Sequence, residues 1–240
     1  MQKNKIRTLC SAMTAIPLHK GLRGRPAAYP EACEPLEEVG AALPADAAAA
    51  LAFALARLAV VQDTRPVALV TTAAWLRERG RPSARGFAGW GLGPERLIWV
   101  RADKEDQALW ALEEALKSGA VAGGLATVEH PAFVATRRLD FAARAGGALG
   151  VLVRAGPAAD LSAARRRWRI AACPSAPARL DPAAPGPVRL RAELVRRRDG
   201  PPGRWVLEQD DETGRLRLDA GLADHGVDAP LIGRVPSVAA

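Results

Sequence analysis

Few residues of this chain stand at the spacings that chemistry requires. The three histidines, His19, His130 and His225, lie far apart, and only Glu129 sits close to one of them. Adjacent side chains diverge, so Glu129 and His130 do not form a ligand pair. Cys10, Cys33 and Cys173 are odd in number and lack ligand spacing, which suits a chain kept in a reducing cytosol. No serine occupies a G-x-S-x-G elbow. The expectation is no metal site, no nucleophilic centre and no catalytic residue.

One turn lies where phosphate chemistry would be done. Between the apolar segment LEEVG and an Ala/Leu-rich run, Gly40 to Ala47 reads G-A-A-L-P-A-D-A. A phosphate loop, G-x-x-x-x-G-K-[ST], aims backbone amides at the anion, a lysine at the terminal phosphates and a hydroxyl at Mg²⁺. Only Gly40 fits that pattern. Ala45 stands at the second glycine, Asp46 at the lysine and Ala47 at the hydroxyl position. Asp46 would set a negative charge against a triphosphate. The loop is therefore expected to hold no nucleotide or other cofactor, with Asp46 serving as a helix cap.

Charge offers a second kind of chemistry. The chain has 34 basic against 26 acidic residues, a net charge of +8, which suits a polyanionic partner. Only five of those basic residues are lysine, and the abundance of Ala, Gly and Pro beside arginine also fits codon use in a GC-rich genome. Arg165, Arg166, Arg167 and Arg169 surround Trp168, a set that could hold phosphates and stack on a base. The same residues fit a strand start, with Trp168 packed inward and the arginines solvated. Arg196, Arg197 and Arg198 read as the solvated end of a hairpin.

The elements that would position these residues alternate. Apolar, β-branched runs at LEEVG, VALVTT (67–72), LIWVRA (97–102), AVAGGLATV (120–128) and LGVLVRA (149–155) read as strands. Helical patterns fall over 46–61, AAWLRER, 103–118 and 131–146. In the third, Asp103 is expected to cap with Asp106 as its capping-box partner, and Glu113 to pair with Lys117. Such alternation predicts an α/β fold with a mostly parallel sheet flanked by helices. Beyond it, WRIAAC, VRLRAELVRRR, RWVLEQ and RLRL alternate at period two between Pro/Gly turns, predicting a C-terminal antiparallel meander. Four regions result: a disordered or loosely ordered arm (1–34), a core (35–156), an antiparallel β extension (157–219) and a flexible tail (220–240). The apolar stretch from Ala47 to Val61 is too short to span a bilayer and carries Arg57, so it reads as a buried helix and no membrane contact is expected.

In this order the elements resemble the core of RecA, most specifically through G-L-G-P-E-R-L-I-W-V-R-A, the Ala/Leu/Glu helix and S-G-A-V. The chain is still more similar to the ImuA family. R-W-R-I-A-A-x-P-S-A at 167–176 and L-x-R-R-R-D-G-x-x-G-R-W-V-L-E at 194–208 carry that likeness, and the whole spans roughly 35–218. The resemblance implies a RecA-like sheet without its catalysis. The phosphate loop is lost, Thr127 stands near the strand-end Asp, and VALVTTAAW lacks the catalytic Glu. Arg154 replaces a nucleotide-sensing Gln, and Glu129 falls too late in the chain to substitute for the missing acid.

ImuA proteins imply a role in damage-induced (SOS) mutagenic translesion synthesis. Their implied partners are an ImuB-like inactive polymerase homologue and an error-prone replicative-type polymerase, with DNA or the RecA filament as further contacts. The implied location is the cytoplasm, at the nucleoid when active. The alternative is a SulA-like cell-division inhibitor that binds a tubulin-like protein, against which the long C-terminal strand region counts. An ATPase using an unrecognised site is a third reading.

Overall fold

The computed structural model describes residues 29–219 apart from 62, 176, 179, 182, 199 and 211. Residues 1–28 of the expected arm, with Cys10 and His19, and the expected tail 220–240, with His225, lie outside the described residues.

Short runs of Val, Leu and Ala form the strands β1 (Leu36–Ala41), β2 (Val67–Thr72), β3 (Leu97–Ala102), β4 (Gly123–Thr127) and β5 (Leu149–Arg154). The first, second, fourth and fifth are buried on both faces, as their near-continuous apolar sequences require. The helices between them are α1 (Ala47–Val60), α2 (Ala73–Arg79), α3 (Ala84–Ala88), α4 (Glu105–Lys117) and α5 (Phe133–Gly146). Four more strands follow: β6 (Arg166–Cys173), β7 (Arg189–Arg197), β8 (Gly203–Gln209) and β9 (Leu216–Leu218). All join one sheet in the order β3-β2-β4-β5-β1-β6-β7-β8-β9. Helix α1 packs Phe53, Ala54 and Leu58 on one face with Val39, Val151 and Trp168. Helices α4 and α5 pack Leu112, Leu116 and Leu139 on the other with Leu36 and Leu152.

The expected architecture, a mostly parallel sheet flanked by helices with an antiparallel strand group at its C-terminal end, is the observed one. Three details differ. Strand β6 pairs parallel to β1 and antiparallel to β7, so it closes the parallel part of the sheet as well as opening the meander. At α4 the N-cap is Lys104, and the Gln107 side chain, in place of Asp106, accepts the amides of Asp103 and Lys104. Glu113 turns from Lys117 to pair with Arg138 across the α4–α5 groove at 2.6 Å.

Strand β1 is the middle strand of nine, and it carries two adjacent carboxylates with no solvent exposure. Alternation sends Glu37 to the α1 face and Glu38 to the α5 face. On the first face, Glu37 takes Arg57 of α1 in a two-point contact, 3.1 Å from Nε and 2.7 Å from the terminal nitrogen. It also accepts the Trp168 indole N–H at 2.9 Å and the Glu34 amide at 3.1 Å. Arg57 spends its remaining N–H groups on the carbonyls of Pro30, Glu31 and Ala32. All five donors of that guanidinium are used.

The stretch 29–34, expected at the end of a loose arm, is therefore tied down. Tyr29 lies against Trp168 and Trp205, and Arg57 sits near both the Tyr29 and Trp168 rings. Burial pushes the Tyr29 hydroxyl up to about 12 against the pull of Arg57, so it stays neutral.

On the opposite face, Glu38 meets Arg154 of β5 and Arg167 of β6, each at 3.1 Å. These arginines extend to the β5–β6 connection: Arg154 reaches Asp160 at 2.7 Å and Arg167 the carbonyl of Ala158 at 2.9 Å. That connection contains no helix. It runs back along β1 until the Arg165 amide meets the carbonyl of Leu36.

Removing one partner from such a buried set leaves its cations uncompensated. Replacing Glu37 by Ala should therefore cost about 3–5 kcal/mol of unfolding free energy. The shift of the urea denaturation midpoint at constant slope measures it; a loss below about 1 kcal/mol would show that Arg57 is held without the carboxylate.

Candidate functional site

The carboxyl ends of the parallel strands are where α/β sheets place ligands. At this edge β1 ends in Gly40 and Ala41, and the chain turns through Ala42 and Leu43 into a 3-10 turn, Pro44–Asp46, before α1. The turn thus has the position of a phosphate loop. Its donors are directed elsewhere. The Ala42 amide goes to Ile170 O at 2.7 Å, the Asp46 amide to Leu43 O at 2.9 Å and the Ala47 amide to Pro44 O. Pro44 has no amide to offer.

Asp46 completes this closure. It stands at the N-cap of α1, as expected, but its carboxylate makes no capping bond to the helix. One oxygen accepts the Leu43 amide at 3.1 Å and the other the Ala172 amide of β6 at 3.0 Å. The protein's own carboxylate takes the amides an anion would seek. Ala47, at the position of the metal-binding hydroxyl, is buried in the core beneath α1. Ala45 is exposed and adds no polar group.

Gly40 has a different reason to be glycine. A Cβ there would lie 2.9 Å from Gly156 O and 3.0 Å from Ala158 N, both backbone atoms of the β5–β6 connection. The missing side chain lets that connection lie flat across β1.

The other positions of the expected site are structural as well. Thr127 is buried and its hydroxyl accepts the Thr72 amide at 3.2 Å, joining the ends of β4 and β2. The amides of Glu129 and His130 are held by the Glu105 carboxylate. His130 is exposed, with Nδ1 3.4 Å from Asp160. Arg154 hydrogen-bonds Asp160, which holds the Asp160 carboxyl below its usual range, with His130 adding to the effect. Burial pushes the Cys33 thiol up to about 11, the reverse of an activated thiolate. Among the described residues no group of three or more His, Cys, Asp or Glu could hold a metal ion. No described helix is long and apolar enough to cross a membrane.

The cluster 165–169 is corrected by its surroundings. Trp168 is 1% exposed and packs against Tyr29, Phe53 and Trp205. Arg166 is buried with Glu34 and Glu37 and donates to the carbonyl of Ala32, while Arg167 is buried with Glu38. Arg165 lies 3.8 Å from both Glu34 and Asp140, and half-exposed Arg169 pairs with Glu193 at 3.0 Å. Trp168 does pack inward, yet Arg166 and Arg167 are neither solvated nor open to phosphates. They neutralise the two carboxylates of β1. The signal that could have shown this is the Glu37–Glu38 pair inside an apolar strand, since buried carboxylates require cationic partners.

Two outcomes follow from this geometry. The purified protein should neither bind nor hydrolyse ATP, and Asp46→Lys combined with Ala47→Thr should not restore binding, because the amides of Ala42 and Asp46 stay bonded to the carbonyls of Ile170 and Leu43. Titration with a fluorescent ATP analogue checks this; submillimolar binding by either protein would contradict it. Arg167→Ala should lower stability by about 3–5 kcal/mol in a denaturant series, through the unpaired Glu38 it leaves behind.

Comparison with known proteins now bears on these features. No family model matches the chain. Two curated relatives, both named Protein ImuA, come from Caulobacter vibrioides strains NA1000/CB15N and ATCC 19089/CB 15. Each is 41% identical over 174 residues, covering 67% of this chain and 70% of the relative. Among solved structures, SulA from Pseudomonas aeruginosa aligns over 50% of this chain and 97% of its own length, at 27% identity and a TM-score of 0.38. That superposition is too loose to bear on fold or function.

Proposed function

Because the chain belongs to the ImuA family, we propose that it is a non-catalytic accessory protein of damage-induced mutagenic translesion synthesis, acting through contacts with other macromolecules. The observation that carries the non-catalytic part is the Gly40–Ala47 loop, whose amides and carboxylate satisfy one another. The family carries the pathway. In this reading the partners are an ImuB-like inactive polymerase homologue and an error-prone replicative-type polymerase.

A surface suited to a protein partner is present. Trp110 of α4 and Phe133, Val134 and Phe141 of α5 are large apolar side chains left exposed on one helical layer. A cleft of about 340 Å³ between the helices is lined by Trp110, Leu109, Ala132 and Ala135 together with Glu105, Glu113 and Arg138, while Phe133 and Phe141 border a separate hollow. Exposed aromatic side chains around a concavity are the usual anchors of protein association.

A strain deleted for this gene should lose DNA-damage-induced mutation, and the full chain supplied in trans should restore it. The full chain should also co-purify with the ImuB-like protein. Mutation frequency that stays at the deletion level would sink the accessory reading. Filamentation on overexpression, without any effect on mutation, would favour a division inhibitor.

A further inference from the structure

The arginines of the described residues fall into two populations. Arg57, Arg138, Arg144, Arg154, Arg167 and Arg189 each meet a carboxylate. Arg77, Arg79, Arg81, Arg85 and Arg101 are exposed, and none makes an ion pair with a carboxylate among the described residues. These five come from one stretch, whereas Arg137, Arg196, Arg198 and Arg215, exposed as well, are spread over α5 and the chain beyond β6. Positions 73–101 hold six arginines against two glutamates, and the sixth, Arg96, is turned inward to the carbonyls of Asp63 and Arg65. The first 28 residues contain no acidic side chain, so they bring no counter-charge.

The stretch begins at the carboxyl edge of the sheet and runs back beside β3, where the Phe87 ring of α3 meets Trp99 and α3 lies against the turn Pro94–Arg96 that precedes the strand. Helix α2 leaves the end of β2 directly, its first turn capped by the Thr72 hydroxyl on the Trp75 amide at 3.2 Å. Arg101 pairs in register with Thr71, one residue before that cap. Arg79 reaches across to the carbonyl of Pro44 in the closed loop at 3.3 Å.

Two of the guanidinium groups are positioned without being neutralised. Arg79 lies over the Trp75 ring, 5.2 Å from its centroid, and Arg81 over the Trp99 ring at 4.9 Å. Trp99 is itself fixed by a 2.9 Å bond from its indole N–H to the Thr71 hydroxyl. An indole covers one face of a guanidinium and leaves its N–H edges to other acceptors. Arg101 lies two residues beyond Trp99 and so on the same face of β3 as the ring that carries Arg81.

The geometry points to a site for a nucleic-acid phosphate backbone formed by Arg77, Arg79, Arg81, Arg85 and Arg101. It deepens the accessory reading above, on which it rests, by naming the surface that meets DNA. Repeated phosphates match a series of exposed guanidinium groups without carboxylate partners among the described residues, two of them positioned on indole rings, and arginine binds such oxygens in a two-point manner. An acidic polypeptide would bring carboxylates without that regular repeat. The site stands apart from the 165–169 cluster, whose charge is consumed inside the protein.

The test uses the full chain and a fluorescently labelled 30-nucleotide dT strand, with a duplex of equal length as the second arm, in fluorescence anisotropy over a salt series. The wild-type protein should bind at least one of them. The variant Arg77→Gln/Arg79→Gln/Arg81→Gln/Arg85→Gln should bind about tenfold more weakly or worse, with a log–log salt slope shallower by about 3. Arg77→Gln/Arg85→Gln, which removes no side-chain hydrogen bond or ion pair among the described residues, should show about half that change in slope and melt as wild type does. The control Arg196→Gln/Arg198→Gln should stay within about twofold.

Absence of wild-type binding to either nucleic acid at low salt overturns the inference. So does equal loss in the control, which would reveal diffuse charge, or displacement of the DNA by polyglutamate at equal charge concentration. Restored mutagenesis by the four-residue variant would also overturn it while leaving the accessory reading intact. Failure of wild-type complementation would remove the accessory reading whatever the DNA result.

Discussion

Two carboxylates in the middle strand of the sheet set the terms for everything around them. An ionised side chain withdrawn from water costs several kcal/mol unless opposite charge and hydrogen bonds replace its hydration. Glu37 and Glu38 meet that demand on opposite faces, each with two arginines. Those arginines then bind backbone: Arg57 clasps residues 30–32 on one face, and Arg167 holds the β5–β6 connection on the other. Hydrophobic burial drives the sheet together, but it is non-directional. The charged pairs select which segments cross β1 and along which line, much as a buried polar residue fixes register in a coiled coil.

The same economy of internal partners explains the carboxyl edge. A nucleotide loop works because its donors are left open for an anion. Here the donors are closed by Leu43, Pro44, Asp46 and β6, and the glycine that survives gives clearance to a neighbouring chain segment. In a sheet of this order the loop after β1 is part of the framework. The surfaces proposed for partners lie outside: an apolar helical layer at α4 and α5, and arginines at α2 and beyond that meet no carboxylate among the described residues.

Much of this was legible in the residues themselves. The strands and helices up to residue 155 follow from alternating apolar runs, glycine stops and the length of each run, except α3, a single short turn of helix within a Gly-rich stretch. Direction is harder: period-two alternation marks WRIAAC as a strand and its Pro/Gly turn points to the antiparallel β7, but nothing in the spacing reveals the parallel pairing of β6 with β1. At α4, Asp103 had the right type for a cap, yet Gln107 reached the same amides from within the helix. The Arg165–Arg169 cluster misled because arginine beside tryptophan has one composition and two opposite uses, outside on phosphates or inside on carboxylates. Only the three-dimensional pairing with Glu37 and Glu38 decides between them. Conversely, Arg77 to Arg85 drew no notice within a Gly-rich stretch, because lack of a partner is a property of space and not of spacing.

Asp46 carries a last consequence. A site that can be empty or filled gives a protein two states, and hydrolysis can then drive it round a cycle in one direction. Here the occupant is a side chain, permanently present and covalently attached. A loop filled in this way offers no nucleotide clock. On the accessory reading proposed above, assemblies of this protein would form and dissolve by mass action, governed by how much of each component is made and how tightly they hold.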